Sequence, residues 1–252
     1  MPRLLTRARG LARSLWMYYW PPGSGRKLSA FYRDLIPAGG LCFDIGAHVG
    51  NRSLAFQRLG CRVVAVEPQP DFARFLRHLF KRRPGIVLEE VAIAAEPGEV
   101  ELFVSAATPT VTTASRSFID GVALIPSFQA VQWAEAVRVP ALTLDQLVAR
   151  HGLPDFLKLD IEGLEEAALA GLSRAPTLVS FEFLAGRVDT ARACLDRLEA
   201  LARWSFNLSR GESLELEWAD FVDRPTLEAW LASHAGQDFS GDIYARRLDA
   251  AP

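Results

Sequence analysis

The chain has 252 residues, of which 50% are hydrophobic and 23% are charged, and this balance excludes a mostly disordered, collagen-like or low-complexity protein. Its formal net charge of −2 lacks the strongly basic balance of a general nucleic-acid-binding protein. Three widely spaced cysteines fit neither a disulfide framework nor a CxxC zinc site, so we expect a reducing, cytoplasmic setting. At this length we expect one large domain with insertions.

The N-terminal segment, residues 1–36, differs from the rest of the chain in its charge. Its first 35 residues contain seven basic side chains and a single acidic one. Arginines interrupt every apolar run here, so neither a membrane-spanning helix nor a signal peptide is predicted. The helical spacing of apolar residues predicts an amphipathic arm over residues 3–20, with Trp16 and Tyr19 on the side opposite the arginines. The arm could lie on an anionic membrane, but its apolar stripe is short, and we favour packing on its own domain or on a partner.

In the remaining domain, residues 37–252, short β-like runs alternate with helix-like stretches. Strands are predicted at residues 41–46, 62–67 and 86–93, and helices at residues 51–60 and 71–83, the second helix with Asp71 as its N-cap. This alternation implies parallel pairing of the strands.

Residues 94–136 break the alternation, and we expect an insertion beside the mouth of the site, with a strand at residues 99–104. Further predicted elements are the VRVP run at 137–140, a helix at 144–152, a strand at 155–160, a helix at 163–171, a strand at 177–183 and a helix at 188–202. The terminal runs WSFNLS and GDIYARRL, separated by a long acidic and aromatic connection, predict an antiparallel pair.

A glycine-containing turn, DIGAHVGN, follows the first predicted strand at residues 44–51. Gly46 and Gly50 allow a ligand to approach the backbone, and a helix start beyond them presents free amides. Such glycines can also serve strand–helix packing alone. Glu67, however, ends the next strand 21 residues after Gly46, where a carboxylate accepts the two hydroxyls of a ribose. The combination predicts an adenosine-containing ligand.

Two residues of this turn indicate which adenosine ligand is bound. His48 stands where the second glycine of the dinucleotide fingerprint would be, and the chain has no GxxxxGK[ST] loop for a nucleoside triphosphate. Asp44 would repel a phosphate group but suits the ammonium group of S-adenosylmethionine. Methyl transfer is therefore the leading chemistry.

Four segments, FDIGAHVGN, VVAVEPQP, ALTLDQL and FLKLDIEGLEEAALAGL, resemble the FkbM family of S-adenosylmethionine-dependent methyltransferases. The resemblance covers about residues 41–184, and its K-x-D-x-E-G segment is the most diagnostic part. It implies a Rossmann-like methyltransferase fold with seven strands, mostly parallel, and an antiparallel last strand. It also implies methyl transfer to hydroxyl groups, mainly of natural products and sugars.

The resemblance gives individual residues a role at the cofactor. Asp44 would lie at its methionine end, Glu67 at its ribose, and Glu90 beside its adenine. His48 stands where many relatives carry asparagine, and either side chain can donate a hydrogen bond to the cofactor carboxylate. The candidate cofactor-binding residues are Asp44, Gly46, His48, Gly50, Asn51, Glu67 and Glu90.

The candidate catalytic residues are carboxylates at the ends of later strands. Asp160 ends one predicted strand, Glu162 follows it, and Glu182 lies near the end of the next strand. The ligand crevice of an open α/β sheet lies beyond such ends, and burying a carboxylate without a purpose is costly. Asp160 is our candidate base or base-orienting residue. Lys158 shares its strand face and can orient a carboxylate or lower its pKa, although a purely structural pair is equally compatible.

These carboxylates leave the question of a metal open. Either one of them has a raised pKa and acts as the base, or a divalent cation is shared among them. Their spacing matches no recognised ligand pattern, so we assign no metal ligand and favour the metal-free version.

The sequence thus predicts an S-adenosylmethionine-dependent O-methyltransferase that acts on a hydroxyl of a sugar, glycan or natural product. A small molecule or glycan is the expected partner, nucleic acid is not, and the arm allows weak membrane-surface contact. Two alternatives remain. One is a non-catalytic S-adenosylmethionine-binding module, and the other is a nucleotide-cofactor oxidoreductase, which His48 and the missing third glycine disfavour.

Overall fold

The computed structural model describes residues 2–21, 23–105 and 107–249, without the side chains of residues 2–5. Over these residues the chain forms ten strands and nine α-helices. The strands are β1 (Leu41–Ile45), β2 (Arg62–Val66), β3 (Ile86–Glu89), β4 (Ala92–Ile93), β5 (Gly98–Val104), β6 (Glu135–Leu142), β7 (Phe156–Leu159), β8 (Leu178–Leu184), β9 (Trp204–Arg210) and β10 (Ser240–Arg247). The helices are α1 (Pro2–Tyr19), α2 (Ser24–Arg33), α3 (Asn51–Arg58), α4 (Pro70–Phe80), α5 (Arg116–Val122), α6 (Leu144–His151), α7 (Glu165–Ala170), α8 (Val188–Glu199) and α9 (Arg224–His234).

The main sheet has seven strands in the order β3-β2-β1-β7-β8-β10-β9. The five strands from β3 to β8 in this order are parallel, whereas β10 is antiparallel to both β8 and β9. The predicted α/β class, the mostly parallel sheet of seven strands and the antiparallel terminal pair are therefore confirmed. Strand β1 is buried at every position, as expected for a parallel strand covered on both faces.

Helices cover both faces of the main sheet because side chains alternate along its strands. Phe43 and Ile45 of β1 face a core that includes Leu147 of α6 and Leu195 of α8. Cys42 faces the opposite core, in which α2, α3 and α4 pack. This alternation directs apolar side chains to both layers and leaves the carboxyl ends of the parallel strands free to form a site.

A second sheet, in the order β4-β6-β5, departs from the sequence prediction. The single strand predicted for residues 86–93 is two strands, because the chain leaves the main sheet after Glu89 and β4 pairs with β6. The VRVP run lies in β6, which pairs antiparallel with β5, so it belongs to this smaller sheet. The connection between the terminal strands also contains α9, which was not predicted.

The start of α4 corrects the predicted N-cap. Gln69, not Asp71, caps the helix, because its side-chain oxygen accepts hydrogen bonds from the backbone amides of Asp71 and Phe72. Pro70 occupies the first turn, where its missing amide hydrogen costs nothing. Asp71 instead forms an ion pair with Arg7 of α1, with a distance of 2.9 Å between Nε and Oδ2.

Helix α1 packs on the domain through one face. Ser14 is buried, and the Tyr19 hydroxyl donates a hydrogen bond of 2.7 Å to the carbonyl oxygen of Val49. Trp16, predicted on the apolar stripe opposite the arginines, does not pack on the domain, because its side chain points away from it and is 62% exposed. In the part of the chain that the structure describes, no helix is both long enough and apolar enough to cross a membrane.

Candidate active site

A cavity of about 480 Å³ opens at the carboxyl ends of the parallel strands. Its walls come from the turn after β1, the end of β2, the loop after β7, the end of β8, the inserted segment and helix α1. The cavity contains most of the candidate residues: Asp44, Gly46, His48, Asn51, Glu67, Asp160, Glu162 and Glu182. The edge of the sheet predicted to hold the site is therefore where these side chains meet.

The turn after β1 is held against the loop after β7. Gly46 adopts a positive φ of 83°, and a Cβ atom there would overlap the carbonyl oxygen of Asp160. Only glycine permits this close approach. Asp44, just before the turn, is buried and accepts a hydrogen bond from the Ser53 hydroxyl. Burial raises its pKa, and the hydrogen bond from Ser53 and the charge of Lys158 act in the opposite direction.

Glu67 follows the end of β2 and is buried at the cavity wall. Its carboxylate accepts backbone hydrogen bonds from His48 (2.7 Å) and Gln69 (2.8 Å), one on each oxygen. Burial raises the pKa of Glu67 to about 7, and the two amides oppose that rise. Each oxygen retains a lone pair, so the carboxylate can still accept hydroxyl donors from a ribose.

His48 lies between Tyr18 and Phe72, with ring centroids at 5.5 Å and 4.3 Å. Its φ of 51° is strained for a residue with a side chain, a feature that concentrates at ligand sites. Burial lowers its pKa to about 4, so the ring is neutral near pH 7. Its Nε2 atom is buried without a hydrogen-bond partner among the described residues.

The three candidate catalytic carboxylates form one cluster. One oxygen each from Asp160, Glu162 and Glu182 lies within 4.8 Å of the others. Burial and the neighbouring carboxylates raise the pKa of Glu162 and of Glu182 well above the ordinary range. Burial would also raise the pKa of Asp160, but the cations Lys158 and Arg52 outweigh it and the pKa of Asp160 is lowered. Asp160 is thus the member of the cluster that stays ionised near neutral pH.

Lys158 is the buried cation of the cluster, with a side chain that is 1% exposed. Its Nζ atom lies 2.7 Å from Asp160 Oδ2 and 3.8 Å from Asp242 Oδ1. Burial would lower its pKa, yet these two carboxylates raise it, so the ammonium group stays charged. The partnership suggested by strand alternation is present as an ion pair.

The loop after β7 is held by Glu165, the first residue of α7. Its carboxylate accepts hydrogen bonds from the backbone amides of Ile161 (2.9 Å) and Gly163 (3.0 Å). Glu162, between them, has a positive φ of 54°, and its carbonyl oxygen accepts a hydrogen bond from the Thr113 hydroxyl. Glu165 thus shapes the backbone that carries the cluster.

Two candidate residues lie away from the cavity wall. Gly50 precedes α3, and a Cβ atom there would come within 2.8 Å of side-chain atoms of Leu76 and Phe80, so this glycine allows α3 to pack on α4. The Glu90 side chain is exposed and ion-paired with Arg77 at 2.7 Å, so its adenine contact stays a prediction that the cavity lining does not support. Its neighbours Val91, Ala92 and Ile93 line the cavity instead.

Three polar residues of this region were missed from the sequence. Tyr18 reaches the cavity from α1, and Arg52 reaches it from the first turn of α3, where it is bound to Glu212 at 2.9 Å. Asp242 lies opposite Glu182 in the β8–β10 register. A charged residue within the apolar run GDIYARRL was the signal for Asp242, but Tyr18 and Arg52 depend on helix docking that the sequence does not show.

The strand order and this cavity define the seven-stranded Rossmann-like fold of S-adenosylmethionine-dependent methyltransferases. Residues 44–206 match the Methyltransferase FkbM domain, and the chain belongs to this family. It is therefore a methyltransferase that uses S-adenosylmethionine. The cavity fits the cofactor, because the Glu67 carboxylate lies at its wall and the buried Nε2 atom of His48 has no hydrogen-bond partner among the described residues, so a ligand can supply one.

The solved structures that match the chain share little sequence with it. An O-methyltransferase from Bacillus cereus in complex with SAH is 15% identical with a TM-score of 0.49, and the match covers 98% of this chain and 89% of that one. Cofactor-bound Rv0187 from MTB is 13% identical with a TM-score of 0.49, covering 99% and 91%. A precorrin-6y C5,15-methyltransferase from Geobacter metallireducens is 13% identical with a TM-score of 0.43, covering 88% and 87%. No curated protein sequence matches the chain.

Replacing Glu67 by glutamine tests its contact with the cofactor ribose. The amide keeps one acceptor oxygen but loses the charge, so we expect affinity for S-adenosylmethionine to fall by about 1.5–3 kcal/mol, the contribution of hydrogen bonds to a charged group. Isothermal titration calorimetry measures the change, with Glu166→Gln, an exposed acidic position on α7, as the matched control. Unchanged affinity in Glu67→Gln would contradict the ribose assignment.

Proposed function

We propose that the chain transfers the methyl group of S-adenosylmethionine to a hydroxyl of a sugar, glycan or natural product. The observation that carries this proposal is the Asp160–Glu162–Glu182 cluster on the cavity wall. An alcohol is a poor nucleophile until it loses its proton, and a positioned carboxylate can accept that proton. Carboxylates also accept hydrogen bonds from the several hydroxyls of a sugar-like molecule.

The bound cofactor supplies an electrophilic methyl group. The residues of the chain accept the proton of the hydroxyl and orient the acceptor and the cofactor. Asp160 accepts the hydroxyl proton, because Lys158 keeps it ionised. Burial and the neighbouring carboxylates raise the pKa of Glu162 and of Glu182, which favours their protonated forms, and a protonated carboxyl can donate a hydrogen bond to the acceptor or to Asp160. Asp44 and His48 orient the methionine end of the cofactor, so that the acceptor oxygen approaches in line.

The same carboxylates could instead hold a divalent cation. Magnesium and calcium prefer oxygen ligands, and the three residues can offer one oxygen each within 4.8 Å of one another. We favour the metal-free version because Lys158 already supplies a buried positive charge 2.7 Å from Asp160.

The experiment incubates the purified chain with S-adenosylmethionine and a panel of saccharides and polyhydroxylated natural products, with and without a chelator. We expect an O-methyl ether by mass spectrometry and nuclear magnetic resonance, and equal rates in both conditions. Methylation only at nitrogen or carbon would overturn the O-transfer. A rate abolished by the chelator and restored by magnesium would replace the metal-free mechanism. Calorimetric binding of the demethylated cofactor in the same sample shows that the protein is competent.

A further inference from the structure

Helix α1 presents a second face that the domain does not cover. Three bulky apolar side chains at its end point outward, and their exposed fractions are 62% for Trp16, 42% for Met17 and 72% for Trp20, which directly follows the helix. Soluble proteins seldom expose a contiguous group of this kind without a partner. The opposite face packs inward through Ser14 and Tyr18, so contact with the domain and contact with another surface are not exclusive.

Basic side chains share the exposed face with the aromatic ones. Arg9, Arg13, Trp16 and Trp20 follow one another at intervals of four, three and four residues, which places them in one stripe along the helix. Both arginines are exposed, and neither forms an ion pair with any described residue. We call this stripe together with Met17 the outer face of α1.

Two further arginines act on the C-terminal end of α1. Burial raises the pKa of Tyr19 to about 12; the charges of Arg58 and Arg83 oppose the rise, and the charge of Asp44 adds to it. The chain carries no acidic residue before Asp34. The outer face therefore combines protruding indole rings with a locally positive potential.

We propose that the outer face of α1 binds the surface of an anionic lipid bilayer. Tryptophan is enriched at the boundary between lipid headgroups and acyl chains, and arginines on the same face attract anionic headgroups. The helix lies in the plane of the surface with the indole rings inserted, and its inner face stays packed on the methyltransferase domain. Tyr18, on the opposite side of the same helix, lines the cavity, so a membrane bound at the outer face lies next to the site. Bound lipid therefore lies about one helix diameter, or roughly 10 Å, from the site.

The test is sedimentation of the full chain with vesicles of phosphatidylcholine alone or mixed with phosphatidylglycerol. We expect binding to the anionic vesicles only, weakened by added salt because charges in water are screened over about 8 Å. The variant Trp16→Ala/Trp20→Ala should lose at least about tenfold in affinity, since it removes the inserted rings. Arg9→Gln/Arg13→Gln should lose about 25-fold, because each basic side chain near an anionic surface contributes about fivefold.

Matched control variants distinguish binding by this face from non-specific binding to vesicles. Leu124→Ala removes an apolar side chain that is 90% exposed elsewhere, and Arg174→Gln/Arg203→Gln removes two exposed charges outside α1, so both should bind as the wild type does. Equal loss in these controls, or no binding by the wild type, would overturn the proposal. So would self-association in analytical ultracentrifugation that disappears in Trp16→Ala/Trp20→Ala without any vesicle binding, because the occupant would then be a second copy. Thermal unfolding confirms that each variant is folded.

Discussion

Asp160→Asn is expected to reduce the turnover number by about 10²–10⁴-fold, the usual contribution of a positioned base, while affinity for S-adenosylmethionine changes little. The side chain keeps its size, but the charge that accepts the hydroxyl proton is gone. The backbone contact between the Asp160 carbonyl and Gly46 is unchanged, so the cofactor turn should keep its shape. Rate measurements and cofactor titration on the same preparation separate the two effects.

Two control variants test whether the reduced rate is specific to the Asp160 carboxylate. Asp189→Asn, at a carboxylate that is 71% exposed, should leave the rate unchanged. Glu182→Gln should reduce the rate less than Asp160→Asn, because burial and the neighbouring carboxylates raise the pKa of Glu182, and glutamine donates a hydrogen bond as a protonated carboxyl does. Full activity in Asp160→Asn would remove this residue from catalysis.

The part of the site formed by the carboxyl ends of the parallel strands was predicted from the sequence. Glu67, Asp160 and Glu182 follow or end β2, β7 and β8, and the carboxyl ends of neighbouring parallel strands meet at one edge of a sheet. The turn at Gly46 was predictable because only glycine fits its backbone. The sequence alone could place these residues together, since the position of each depends on its own strand and not on packing between distant segments.

The remaining features depend on contacts that periodicity does not encode. Residues 86–93 are one apolar run interrupted only by Glu89 and Glu90, and pairing with β6 rather than local propensity separates β4 from β3. The exposure of Trp16 has a similar origin: both faces of α1 carry apolar residues, and docking against the domain decides which face is buried. In both cases the local sequence pattern is compatible with two structures, and tertiary contacts select one of them.

Lys158→Met is expected to destabilise the protein by about 3–5 kcal/mol near pH 7, the cost of leaving buried carboxylates without their partner. Methionine has a similar length and is apolar, so the cavity should not collapse. Asp160 and Asp242, 2.7 Å and 3.8 Å from the lost ammonium group, would then keep only Arg52 as a neighbouring cation. Urea unfolding measures the change in the free energy of unfolding. Lys81→Met, at an exposed lysine, is the matched control and should be nearly neutral.

The loss of stability in Lys158→Met should increase with pH. Without Lys158, burial and like charges raise the folded-state pKa of Asp160 and Asp242 above the unfolded value, and such groups contribute stability at low pH that disappears as pH rises through that range. In the wild type the lysine pKa is itself raised, so its contribution stays constant from pH 5 to 8. The difference between variant and wild type should therefore be larger at pH 8 than at pH 5. Asp242→Asn added to Lys158→Met should restore part of the stability, since it removes one of the two carboxylates that lost the ammonium group. An equal loss at both pH values would show that Lys158 acts by packing and not by charge, and Asp160 would then need another source for its ionised state.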